Sequence, residues 1–128
     1  MSFQHATQKA IYNRLTLSSD LMSMVKGVFD FVEEDQQFPY VTIGEASHNE
    51  FDTYSELGSE VVVTIHTWSR EQGNEETHKI QGQIYNALNR AELGTVDDYY
   101  FIGIHFETSD ILPDNDGLTF QGVQTFRI

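Results

Sequence analysis

The chain has 128 residues, 39% of them hydrophobic, with 9 Phe, 6 Tyr and 1 Trp. That is enough for one domain spanning 1–128 to bury a core without a metal or disulfide staple. Zero cysteines exclude a disulfide scaffold, a thiolate nucleophile and any Cys-based zinc or iron–sulfur site, and a formal net charge of −13 argues against holding nucleic acid by neutralising its phosphates.

In chain order, residues 3–16 carry Phe3, Ala6, Ala10, Ile11 and Leu15 on an approximate helical stripe. Ser19 is a candidate cap for a short helical turn through Val25, ended by Gly27. Residues 28–32 form a short strand or extended segment that runs into an acidic turn at 33–37. Phe38–Gly44 is a predicted strand, with Pro39 near its start, where a missing N–H does no harm. A polar stretch, 45 to about 58, is expected as a loop. Glu60–Trp68 is the strongest strand signal, rich in β-branched residues.

A second helix opens at Asn74, a candidate cap, with Glu75 and Glu76 complementing its N-terminal dipole. Its core stripe is Ile80, Ile84, Ala87 and Leu88, and Gly94 lies just past its end. Tyr99–Glu107 and Leu118–Ile128 complete the strands, separated by a loop containing Pro113 and the turn pair Asp116-Gly117. The order α–β–β–α–β–β predicts an α+β fold: a single mixed or antiparallel β-sheet with two main helices packed on one face.

Alternation along strands sorts residues onto two faces. One phase reads Val61, Val63, Ile65; Tyr100, Ile102, Ile104, Phe106; Leu118, Phe120, Phe126, Ile128, and is the expected core. The other reads Val62, Thr64, His66, Trp68; Phe101, His105, Glu107; Thr119, Gln121, Val123, Thr125, Arg127. This second face is neither polar nor apolar, which suits a surface covered by a neighbouring copy. A bulge near Gly122 would change the phase of the last strand.

The charges are segregated. Between Lys26 and Arg70 lie Asp30, Glu33, Glu34, Asp35, Glu45, Glu50, Asp52, Glu56 and Glu60 with no Lys or Arg. Between Arg90 and Arg127 lie Glu92, Asp97, Asp98, Glu107, Asp110, Asp114 and Asp116, again with no base. Lys9, Arg14, Lys26, Lys79 and Arg90 fall in or beside predicted helices. No run of about 18 apolar residues exists to span a membrane. The opening residues lack the basic start and apolar core of a signal peptide, so a chain kept in the cytosol, or assembled there into a particle, is expected.

Catalytic arrangements are scarce. Gly94, Gly103, Gly117 and Gly122 are isolated and build no phosphate loop, and no serine sits in a G-x-S-x-G turn. His66 and His105 share a strand phase, with Glu107 two residues on, and would be neighbours able to hold a divalent metal if their strands adjoin. Two His and one Glu without a motif more often hydrogen-bond at a surface, so no metal and no cofactor are expected. Glu33-Glu34-Asp35 and Asp114-Asn115-Asp116 lack the alternating acids of a calcium loop and are read as solvated turns.

Two features point to contacts. Phe51 and Tyr54 sit in the polar stretch 46–57, where they either fold back over the sheet edge or form an arm that orders against a partner. The mixed face contributes His66, Trp68, Phe101, His105 and Val123. A structural subunit and a non-catalytic ligand-binding or regulatory α+β domain both fit these residues.

One family carries these segments in this order. The opening Gln8-Lys9-Ala10-Ile11-Tyr12, the stretch Phe38-Pro39-Tyr40-Val41-Thr42-Ile43-Gly44-Glu45, a loop with Asp52-Thr53, Val63-Thr64-Ile65-His66-Thr67-Trp68-Ser69-Arg70, Phe106-Glu107 and Asp116-Gly117-Leu118-Thr119-Phe120-Gln121-Gly122-Val123 resemble the tail-completion, or tail-to-head joining, proteins of siphophages, prophages and gene transfer agents. The acidity of this chain departs from that pattern. The resemblance implies a fold similar to lambda-type tail terminators and a ring, a homo-hexamer when assembled, that caps the head-proximal end of the tail tube. It implies as partners further copies of the chain, the tail-tube protein and a head–tail connector or neck protein, with no catalysis. It also implies a virion location after assembly in the host cytoplasm, with a monomer in solution compatible. Another neck or tail-tube component of related fold is the neighbouring alternative. If acidic loops such as 33–37 or 108–117 line the channel, their charge would let DNA pass without sticking.

Overall fold

The computed structural model describes residues 3–30, 32, 33, 35–52, 57–71, 74–96, 99–101, 103–113 and 116–128, with the backbone alone for residues 3, 4, 45, 48–52, 57–60, 99 and 100. The elements are α1 (Phe3–Thr16), α2 (Ser19–Met24), β1 (Val28–Phe29), β2 (Tyr40–Asp52), β3 (Leu57–Ser69), α3 (Glu75–Leu88), β4 (Gly94–Val96), β5 (Tyr99–Phe101), β6 (His105–Pro113) and β7 (Phe120–Arg127). Five strands form the main sheet in the order β1-β2-β3-β7-β6, and β4-β5 form a separate ribbon. β1 runs parallel to β2, while the other pairings are antiparallel.

The expected α+β architecture is present: α1 and α3 supply the stripes that cover one sheet face. Ala6, Ala10, Ile11 and Leu15 recur at helical spacing and are all buried, as are Ile80, Ile84, Ala87 and Leu88. Ile11, Leu15 and the four α3 residues meet Val41, Ile43, Val63, Ile65 and Phe126 in one core, while Ala6 and Ala10 pack with Phe101 in a second cluster. Each fully buried Leu, Ile or Phe contributes about 1.5–3 kcal/mol through water exclusion. The Phe126–Phe106–Tyr85 rings close the β6 side, edge to face at 5.7 and 5.2 Å. Arg14 Nε donates to the Ala87 carbonyl at 3.0 Å, which ties α1 to the carbonyl-rich end of α3.

The short helix α2 is capped by Ser18 rather than Ser19: its hydroxyl accepts from the Leu21 N–H at 3.2 Å. Asn74 holds the cap position of α3 without a side-chain bond. The expected loop at 45–58 is overturned. β2 runs unbroken to Asp52 and pairs with β3 down to Asp52↔Leu57. Pairing with the β-branched strand carries the polar residues 46–52 into extended form, since context outweighs weak intrinsic propensity. Only four rungs of this hairpin, Asn49↔Glu60 to Asp52↔Leu57, lie beyond the reach of β7, which ends against Val61 and Val62.

The strand expected over 99–107 is two strands in two sheets. The chain leaves the ribbon after Phe101, and the α3 terminus then captures it. Arg90 N–H donates to the Ile104 carbonyl at 2.8 Å, and Phe106 N–H donates to Asn89 Oδ1 at 3.0 Å. The expected loop after 107 is mostly strand too, because β6 pairs with β7 out to Pro113↔Phe120. Pro113 is tolerated at the end of an edge strand, where no ladder donor is required. Leu118, placed in the core by alternation, is 65% exposed, and Thr119 is buried instead. The Asp116 turn holds both residues ahead of the strand, so the β7 alternation begins only at Phe120.

Register slips occur between Ile43 and Ala46 and between Phe106 and Thr108, not near Gly122, where β3 and β7 pair continuously. Gly122 serves another purpose. A Cβ there would come 2.6 Å from Gln81 Nε2 and 2.9 Å from Thr77 Cγ2, so glycine lets α3 approach the sheet. Beside it runs a polar seam. Gln124 Nε2 donates to the Gln81 carbonyl and Gln81 Nε2 to the Asp110 carbonyl, both at 3.1 Å. Thr67 Oγ1, Thr77 Oγ1 and Gln124 Oε1 are buried without a partner.

Substituting Ile84→Ala should cost about 2–5 kcal/mol in urea unfolding, from lost burial and the cavity left behind. Gly122→Ala should cost about 1–3 kcal/mol, because Gln81 is held at both ends of its amide and cannot yield freely. A Gly122→Ala chain as stable as the parent would show that α3 is not seated as described.

Candidate docking face

All three helices lie on the side of the sheet that buries the odd-numbered residues of β3. The opposite side carries Val62, Thr64, His66 and Trp68 from β3, Tyr40 and Thr42 from β2, and Phe29 from β1. From β7 come Gln121, Val123 and Thr125. Each of these is half-buried, and no described helix covers them.

At its centre is an aromatic ladder. Tyr40 lies 6.3 Å from Trp68, and Trp68 lies 6.0 Å from His66, both pairs stacked at 26°. Phe29 and Phe38 extend it beyond Tyr40, at 6.2 and 5.0 Å. Local hydrogen bonds hold the rings in place. Trp68 Nε1 donates to Thr42 Oγ1 at 3.1 Å, and the Gln121 amide meets His66 Nδ1 at 2.8 Å. The imidazole rests over Gly44, where a Cβ would come 2.7 Å from its Cδ2. Burial pushes the Tyr40 hydroxyl pKa up, opposed in part by the nearby Arg70 charge.

Arg70 closes one end of the ladder. Its guanidinium stands 4.2 Å above the Phe38 ring, and its Nε donates to Thr119 Oγ1 at 3.1 Å. One of its terminal nitrogens lies 3.7 Å from Asp116. Asp116 in turn accepts from the Thr119 hydroxyl and from the N–H groups of Leu118 and Thr119. These bonds, the hydroxyl first, lower its pKa from 3.8 to about 2.

Of the residues anticipated for contact, His66, Trp68 and Val123 share this face. His105 is exposed on the edge strand, opposite Arg127. His66 and His105 are not neighbours: β7 lies between their strands and they sit four rungs apart, a separation of about 16 Å. Glu107 pairs with Arg127 rather than completing a trio. Phe101 belongs to the interior, 4% exposed against Ala6 and Ala10, because β5 joins the ribbon under α1 instead of the main sheet. The Phe51 backbone lies in the outer hairpin opposite Gly58, its side chain outside the described residues, and Tyr54 lies outside them entirely.

Phe29, Phe38, Tyr40 and Arg70 are additions that alternation alone does not single out. The sequence carries a signal for three of them. Phe38-Pro39-Tyr40 opens a predicted strand that was never phased, and Arg70 is the first base after a long base-free stretch. Among the described residues no group of three or more His, Asp or Glu could hold a metal. A flat array of rings with polar tips is the composition of a protein–protein contact.

The Asp116 network has a pH signature. A carboxyl whose folded pKa lies below its unfolded value adds stability that is present above the unfolded pKa and lost as pH falls through the folded one. Between pH 3.8 and about 2 the parent should therefore lose stability more steeply than Asp116→Asn. Carboxyl NMR titration, with thermal melts across that window, checks the claim. A midpoint at the ordinary Asp value would refute it.

Comparison with known proteins follows the geometry closely. The model of the family "Tail completion protein gp17" matches residues 9–128. The tail completion protein gp17 of Bacillus phage SPP1 is 29% identical over 118 residues, covering 92% of this chain and 87% of that protein. The solved structure of the bacteriophage SPP1 gp17 protein superposes with a TM-score of 0.62 at 26% identity, over 96% of this chain and 87% of that one. A chain in the virion of a native gene transfer agent particle superposes with a TM-score of 0.88 at 19% identity, covering 98% and 96%, a likeness of fold. This chain belongs to the gp17 family of phage tail completion proteins, structural components of the tail and its neck.

Proposed function

We propose that this chain is a ring subunit that caps the head-proximal end of a phage tail tube and joins the tail to the neck, acting through surfaces rather than catalysis. The observation that carries the reading is the half-buried aromatic face, ordered by its own hydrogen bonds yet uncovered by any described helix. A face of this kind suits another copy of the chain, a homo-hexamer in the assembled ring, while tube and neck proteins meet the ends of that ring. The chain works as one unit, since α1, α3 and the main sheet share a single core. Assembly in the host cytoplasm and residence in the virion follow from this role.

The charge balance supports the same reading. A chain of net charge −13 holds DNA poorly, so a genome moving through the ring would pass without specific binding. His66, Trp68 and Val123 are the proposed contact residues on the face, joined by Tyr40. His105 is proposed as a contact at the β6 edge, and Phe51 and Tyr54 as contacts from the outer hairpin. Phe101 has only the indirect role of seating α1.

Replacing Trp68 and Tyr40 together by Ala should weaken assembly by about 2 kcal/mol or more, the range of an interface hot spot. Joined, infectious particles should fall accordingly in a complementation assay, while far-ultraviolet circular dichroism stays unchanged. Full yield of joined particles from the double variant, or from a phage lacking the chain, would overturn the proposal.

A further inference from the structure

One helix face lacks the charges that water-facing helices carry. The first turn of α3 holds Glu75 and Glu76, and Lys79 follows, but Ile80 to Asn89 contain no Asp, Glu, Lys or Arg. Ile80, Gln81, Ile84, Ala87 and Leu88 are buried and need none. Gly82, Tyr85 and Asn86 are exposed, where charged or strongly polar residues are the rule for a solvated helix. In a chain of net charge −13, such a patch is where a second copy can approach without like-charge repulsion.

Two details of this face suit a contact. Tyr85 is 41% exposed, yet its ring is held: Phe106 packs against it edge to face at 5.2 Å, and Asn89 Nδ2 donates to its hydroxyl at 3.1 Å. A pre-ordered, accessible tyrosine is a frequent interface anchor. Gly82, three residues earlier, has open space where a Cβ would stand, so nothing inside the chain requires a glycine there. Glycine weakens a helix interior relative to alanine, and a surface approaching closely from outside the chain accounts for it.

The outer sheet face is the matching surface. Its half-buried residues include no Asp, Glu, Lys or Arg, and charges stand only at its rim, as Arg70, Asp110 and the Arg127–Glu107 pair. The uncharged part of α3 is about 15 Å long, comparable with the ladder, whose rings step 6.3 and 6.0 Å from Tyr40 through Trp68 to His66. We infer that α3 of one copy lies across the outer sheet face of the next, with Tyr85 as its anchor and Gly82 admitting the ladder rings. This rests on the ring reading above and names the element that covers the face. The helices and the bare face lie on opposite sides of the sheet, so the contact is heterologous: each copy covers one neighbour and is covered by the other, as a closed ring requires.

The chain contains no cysteine, which allows the contact to be trapped. Within one chain the sheet separates Asn86 from Thr64, so a short linker between them must join two copies. Particles assembled with a chain carrying both Asn86→Cys and Thr64→Cys, treated with a short bis-maleimide, should yield a ladder of products beyond dimer on a denaturing gel. Joined particles that contain the double variant but give no ladder, or that link position 86 to a different protein, would overturn the contact and leave the ring reading standing.

A second measurement covers the case in which the cysteines disturb incorporation. Gly82→Gln keeps the face uncharged and favours the helix, so it should raise the melting temperature of the chain by a few degrees. The same side chain should lower the yield of joined particles about tenfold, by holding the two faces apart. A variant that melts below the parent, or that joins particles in full, would equally defeat the inference. If particles join fully without the chain, the ring reading itself fails.

Discussion

The structure depends on β3 being paired along both edges while both of its faces are put to use. β2 binds one edge from Leu57 to Trp68 and β7 the other from Val62 to Ser69. With the strand held flat between them, its odd residues must turn toward the helices and its even residues away. Val61, Val63 and Ile65 anchor the core in consequence, and Thr64, His66 and Trp68 build the outer face. A slip of one residue would exchange the two sets and expose the core.

The helix side is not uniform. Beneath Ile80, Ile84 and Leu88 the seat of α3 is apolar and closely packed, whereas around Thr77, Gln81 and Gln124 it is a polar seam. Buried polar atoms left without a partner cost about 1–3 kcal/mol each. The N-terminal half of α3 is therefore the more weakly held half, and Gly122 is the concession that lets it sit close at all. The seam also joins β6 to the helix through the Asp110 carbonyl and Ser109, so the edge strand and the helix are positioned together.

The outer face has the reverse economy. Its rings are stacked and hydrogen-bonded before any partner arrives, which lowers the entropy still to be lost on docking. Arg70 brings the Phe38 segment, the Asp116 turn and the start of β7 to one point, fixing the rim of the face.

Much of this was legible in the sequence. The α1 and α3 stripes, the β-branched run of β3 and the open, mixed character of the even face follow from local periodicity, because 3.6- and 2-residue repeats record which side meets the core. The two ends of α1 and the burial of Val61, Val63 and Ile65 were determined in this way, as was family membership through the order of short segments. Tertiary structure alone decided the rest. Residues 46–52 have weak strand propensity and became strand only because β3 was there to pair with them. The Tyr99–Glu107 run divided between two sheets because the end of α3 captured Ile104 and Phe106. Which residues meet across strands, such as His66 with Gln121 rather than with His105, is set by strand order, and strand order leaves no periodic mark on a chain.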